Sequence, residues 1–73
     1  MRARGSPGDP GEGVVRAWNP EGGFGFIETP NGDVFFHKSG LRDGVGRVPA
    51  GCRVAFVFDA GQAGIRAVDV RPV

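Results

Sequence analysis

Five short runs rich in valine and phenylalanine, each fenced by Gly, Pro, Asn or Asp, follow one another from Val14 onward, and this punctuation leaves no room for a long helix. The runs are Val14–Trp18, Phe24–Glu28, Asp33–His37, Arg53–Asp59 and Ile65–Arg71, all of strand length and strand composition. Asn19-Pro20-Glu21-Gly22-Gly23 is a turn by composition. Thr29-Pro30-Asn31-Gly32 contains Asn-Gly, the strongest short hairpin signal, so the first three strands are predicted to form a meander. The longer path from Lys38 to Cys52 is expected to be a flexible loop, with Ser39 placed to cap one short helical turn before Gly44, Gly46 and Pro49 end it. The last connection is Asp59 to Gly64. Five strands without a long helix predict an all-β fold, a small antiparallel barrel, because closure removes edges that an open sheet would expose.

Size and composition narrow the possibilities further. At 73 residues the chain is one domain near the lower limit of what folds alone. Residues 1–12 hold three Gly, two Pro and no large apolar side chain besides Met1. They are expected to form a disordered tail, leaving residues 13–73 as the domain. The start carries no apolar segment of signal-peptide type, and nowhere do 18 apolar residues run together, so neither export by that route nor a membrane span is expected. A single Cys52 excludes an internal disulfide and fits a reducing, cytoplasmic location, and a single His37 leaves no four-ligand zinc site within the chain. No metal or other cofactor is implied. The net charge of +1 excludes a strongly basic polyanion binder of the histone kind.

Strand alternation then sorts the side chains. Phe24 and Phe26 share one face while Gly25 and Ile27 share the other. Ile27 is the natural inward residue, which leaves two phenyl rings outside, where such rings are costly to keep. In the third run Val34 and Phe36 point inward, so Phe35 and His37 point outward. A four-ring exposed platform is the expected result. Val15, Ile27, Val34, Phe36, Val54, Phe56 and Phe58 are assigned to the core. The fifth run is ambiguous, since Ile65 and Ala67 lie on one parity and Val68 and Val70 on the other; a bulge near Ala67 reconciles them.

The segments Gly13-Val-Val-Arg-Ala-Trp-Asn19, Gly23-Phe-Gly-Phe-Ile27 and Asp33-Val-Phe-Phe-His37, in that order, resemble the bacterial cold-shock proteins and the related cold-shock domain. The resemblance covers Gly13 to about Val70. It implies a five-stranded oligonucleotide-binding barrel (OB-fold) that binds single-stranded RNA and DNA and acts as an RNA chaperone. The family's two ribonucleoprotein-type motifs fall on Gly23–Ile27 and Val34–His37, and its base-stacking rings on Phe24, Phe26, Phe35 and His37. Four residues depart from the family's pattern. Ala17-Trp18 stands where Trp-Phe is usual, Gly22 replaces a lysine, and Lys38 replaces a phenylalanine. Weaker or differently placed binding is therefore expected.

Each candidate also has a plainer role. Phe24, Phe26 and Phe35 as core would leave Ile27, Val34 and Phe36 without an inside, so stacking is preferred. Trp18 is expected to join in binding, against the alternative of closing one end of the barrel. Arg16 on the outer face of the first strand and Lys38 at the end of the third are candidates for phosphate contact, the alternative being solvated charges. Arg42 and Arg47 are read as solvated, and Cys52 as a small apolar spacer. His37 lacks a nucleophile partner and is assigned to stacking and base-edge hydrogen bonding, not catalysis. The chain is thus expected to be a monomeric, non-enzymatic binder of single-stranded RNA or DNA. A protein-interaction module that has kept the barrel and lost nucleic-acid binding is the alternative.

Overall fold

The computed structural model describes residues 5–62 and 64–73. Its strands are β1 (Pro10–Asn19), β2 (Phe24–Thr29), β3 (Gly32–His37), β4 (Arg53–Gly61) and β5 (Gly64–Pro72), with one short 3-10 turn at Lys38–Gly40. They close into a barrel in the order β1-β2-β3-β5-β4. The pairings β1–β2, β1–β4, β2–β3 and β4–β5 are antiparallel, as expected. The exception is the closing pair, β3 with β5, which is parallel and short: Phe35 faces Arg66 and Phe36 faces Ala67.

Local chemistry sets the two meander turns. Asn19 Oδ1 accepts hydrogen bonds from the N–H groups of Glu21 and Gly22, both at 3.0 Å. Its backbone carbonyl accepts from Gly23, whose φ of 69° asks for glycine. At the second turn Pro30 and Asn31 form the loop between the paired Thr29 and Gly32, and Gly32 supplies the positive φ, 123°.

Every residue assigned to the core from sequence is buried: Val15, Ile27, Val34, Phe36, Val54, Phe56 and Phe58. Ala67, Val70 and Val48 join them. Val48 comes from the long loop and pins it to the barrel, so the flexible connection expected between β3 and β4 is anchored in the interior.

The bulge expected in β5 near Ala67 lies just beyond it, at Asp69. Ala55 pairs with Arg71 and Val57 with Val68, so three steps on β5 oppose two on β4. The extra residue lets Ala67 and Val70, three apart, both face inward. Asp69 carries a φ of 54°, a left-handed conformation that a short polar side chain tolerates. Arg42 holds its carboxylate with two bonds, of 2.7 and 2.8 Å, and Arg71 donates to its carbonyl at 2.9 Å. The Arg42 bond draws the Asp69 carboxyl below its usual range, and the same bond raises Arg42. Arg42 is therefore engaged rather than simply solvated.

The tail expectation needs correction over residues 5–12. Pro10, Gly11 and Glu12 pair with Val57, Phe56 and Ala55 of β4. Gly8 N–H donates to the Phe58 carbonyl at 2.7 Å, and Phe58 N–H donates to Asp9 at 2.9 Å. A side chain at Gly5 would run into the Phe58 ring, and one at Gly11 would stand 2.6 Å from the Phe56 ring. Side-chain composition predicted disorder, whereas backbone pairing and bare glycine against ring faces supply the order. Residues 1–4 of that expected tail lie outside the described residues.

Candidate nucleic-acid interface

The register of the β2–β3 hairpin places the four predicted rings in a block. Phe24 lies directly across from His37, and Phe26 from Phe35. All four point outward because Gly25, Ile27, Val34 and Phe36, which alternate with them, are buried. Phe26 and Phe35 remain 38% and 39% exposed, the most exposed aromatic rings of the barrel among the described residues. Phe24 and His37 are half-buried. The Phe35 ring serves as the hub, 5.7 Å from Phe26 in an edge-on arrangement and 6.1 Å from Phe24 with planes 26° apart. Such offset and edge contacts hold the rings in place while leaving faces free for a flat partner.

Glycines set the position of two platform side chains. A Cβ at Gly22 would strike the Phe24 ring, its Cδ1 standing 2.7 Å away, so the absence of a side chain there gives the ring its seat. At Gly23 the Lys38 stem occupies the equivalent space, with Cδ 2.8 Å from where a Cβ would be. Lys38 is thus laid along the turn at the platform edge with its ammonium free to reach out. Gly25 is buried, and a Cβ on it would lie 2.8 Å from Phe36, so Gly25 lets the inner ring pack directly under the outer ones.

The other two candidates are placed differently. Arg16 is the extra residue of a bulge in β1, between the pairs Val15–Ile27 and Ala17–Phe26. Its guanidinium lies 3.0 Å from Asp33 and 4.0 Å from Glu28, the cross-strand pair next to Phe26–Phe35. A cation expected to face phosphate is therefore already matched by carboxylates. Trp18 is not brought to the platform. Its indole lies 5.5 Å from Phe36 with planes 8° apart, half-buried against the core. Ala17, exposed and paired with Phe26, leaves the β1 side of the platform low.

The contact between His37 and Ser39 was not foreseen from the sequence. The cap of the 3-10 turn is His37, not Ser39: its imidazole Nδ1 accepts the Ser39 N–H at 3.1 Å, and the Ser39 hydroxyl oxygen stands 2.9 Å from the same nitrogen. The His-x-Ser spacing ahead of Gly40 is the signal that carries this arrangement.

Among the described residues no group of three or more His, Cys, Asp or Glu is disposed to hold a metal ion, and no helix is long and apolar enough to cross a membrane. The face offers flat apolar rings, an imidazole and the Lys38 ammonium, which has no ion-pair partner among the described residues, and this suits stacking on unpaired bases.

Comparison with known proteins gives the same assignment. Residues 11–73 match the 'Cold-shock' DNA-binding domain. The major cold shock protein of Streptococcus pyogenes serotype M1 is 44% identical over 61 residues, covering 81% of this chain and 91% of that protein. Cold shock protein CspC of Bacillus subtilis (strain 168) is 42% identical over 62 residues, 82% of this chain and 94% of the relative. Cold shock-like protein CspG of Shewanella violacea is 43% identical over 61 residues, 80% and 87% of the two chains. This barrel, with its exposed aromatic hairpin, belongs to the cold-shock DNA-binding domain family.

Proposed function

We propose that the protein binds single-stranded RNA and DNA by stacking bases on Phe24, Phe26, Phe35 and His37, with Lys38 tracking the backbone at the platform edge. The observation that carries this reading is the block of outward rings on β2 and β3, two of them more than a third exposed, in a barrel that buries its other aromatic residues more deeply. Arg16 joins only when phosphate displaces Asp33 from its guanidinium, a near-even exchange between two anions. Trp18 acts from beneath, by holding Phe36 under the platform.

Binding of this kind has a consequence for folded RNA. A protein that holds unpaired bases and has no grip on a duplex shifts hairpins toward their open form by mass action, with no energy source. The chain therefore works as an RNA chaperone and not as an enzyme, as a cytoplasmic monomer. Net charge of +1 makes stacking the main contributor to affinity. Titrating fluorescently labelled heptamers and a duplex of equal length tests the reading. Tight binding of the single strand, no binding of the duplex and a salt slope worth only one or two phosphates are expected. A slope equivalent to about six phosphates would place the binding energy elsewhere, and silence toward every oligonucleotide would favour a protein partner.

A further inference from the structure

Ser39 lies outside the platform, yet its backbone N–H and its hydroxyl oxygen both stand against one atom of it. Its backbone N–H donates to His37 Nδ1 at 3.1 Å, and its hydroxyl oxygen is 2.9 Å from that nitrogen. A backbone N–H can neither reverse nor give up its hydrogen, so Nδ1 must offer it a lone pair, and the freely rotating hydroxyl donates to the same site. A neutral imidazole carries one hydrogen, which is therefore on Nε2. The fold of the turn imposes this choice: His37 is its N-cap, with φ −113° and ψ 157°, and the ring itself is the capping acceptor. Across the strand pair lies Phe24, and Nε2 has no hydrogen-bond partner among the described residues.

We propose that Ser39 is a positioning residue that fixes His37 as a hydrogen-bond donor through Nε2–H, so that the platform reads an acceptor oxygen on the bound strand. This rests on the single-strand reading above. Phenyl rings accept the face of any base alike, whereas a donor held in one orientation distinguishes a strand that offers an oxygen there from one that does not. The oxygen belongs to a base carbonyl or to a backbone phosphate, and the two are separable by experiment.

Nitrogen-15 spectra of the His37 ring in the free protein are expected to show hydrogen on Nε2 and a bare Nδ1; hydrogen on Nδ1 would overturn the proposal without any ligand. Binding is then measured with a thymidine heptamer and with the same heptamer carrying 2,4-difluorotoluene, which stacks like thymine and accepts hydrogen bonds poorly. The wild-type protein is expected to prefer thymidine by about two- to tenfold. The Ser39 N–H that sets the tautomer survives in Ser39→Ala, but the hydroxyl that steadies the ring's orientation does not, so Ser39→Ala should shrink that preference and Ser39→Thr restore it, while His37→Phe keeps stacking and abolishes the preference. An equal loss on both heptamers in Ser39→Ala, again restored by threonine, assigns the oxygen to phosphate. Unchanged affinity of Ser39→Ala for both heptamers sinks the role of Ser39 while leaving the stacking platform standing. If the wild-type protein ignores both heptamers, the single-strand reading falls together with the recognition role.

Discussion

Two Phe-x-Phe segments of this barrel meet opposite fates. Phe56-Val57-Phe58 on β4 is buried, its rings 5.1 Å apart and edge-on at 77°. Phe24-Gly25-Phe26 on β2 lies outside, sharing Phe35 as neighbour. Motif and strand alternation are the same in both, and the residues around them make the difference. On β2 the inward positions are already taken by Gly25 and Ile27, with Phe36 packed directly beneath. On β4 the outward position is Val57, and Gly5 and Gly11 bring bare backbone against the two inner rings. An aromatic pair is interior or exposed according to what the chain places over it, and only on β4 does the chain spend residues on a cover.

The comparison breaks most visibly if a covered ring is removed. Phe56→Ala should cost about 3–5 kcal/mol of stability, much of what so small a domain possesses, as read by urea unfolding. Phe35→Ala should leave the unfolding midpoint nearly unchanged while weakening heptamer binding by about 1–3 kcal/mol. If Phe35→Ala unfolds the protein instead, the two aromatic groups are alike and the platform is part of the core. Deleting residues 1–9 takes the cover from Phe58 and should lower stability by about 1–2 kcal/mol, from two lost backbone hydrogen bonds and newly wet ring surface, with single-strand affinity preserved. Ala17→Trp works on the other side, adding a ring beside Phe26 and tightening binding by about 1 kcal/mol.

The smallest effect belongs to Asp69, whose bulge brings Val70 into the covered side. Its folded-state carboxyl titrates below the usual value because Arg42 bonds to it. Its stabilisation is therefore present above the unfolded carboxylate pKa and fades as pH falls through the lower, folded value. Asp69→Asn, which keeps the left-handed backbone, should flatten the acid limb of a stability–pH curve measured by thermal unfolding. An unaltered acid limb would show that the pair is too well solvated to matter.

What the sequence disclosed follows from which forces are local. Strand runs, turn residues and the inward or outward parity of Ile27, Val34, Phe24 and Phe35 are fixed within a few residues, and all were legible. The ordering of residues 5–12 was not, since it depends on ladder bonds to β4, more than forty positions away. Val48 sits in a segment without periodicity, and only the barrel opening it fills gives it a role. The bulge was expected from clashing parities in β5, but the grip of Arg42 on its Asp69 was not, since Arg42 comes from a distant loop. At the site, the rings were readable from alternation, whereas the pairing of Arg16 with Asp33 required the β1 bulge and the hairpin register together. Trp18 read as a platform residue because its neighbours suggested one, and Phe36 drew it inward.

The parallel contact between β3 and β5 also bears on how the chain is made. β5 is the last strand in sequence, and its partner β3 carries Phe35, the hub of the exposed rings. Until β5 exists, β3 has an unpaired edge next to an uncovered aromatic surface, a combination that invites pairing with other chains. Closure also spans the whole loop from Lys38 to Cys52 and then β4, a separation that slows folding relative to the local hairpin. The nascent chain therefore displays its adhesive face before it owns the strand that shields the neighbouring edge, and the interval between the two is the time in which aggregation competes with the fold.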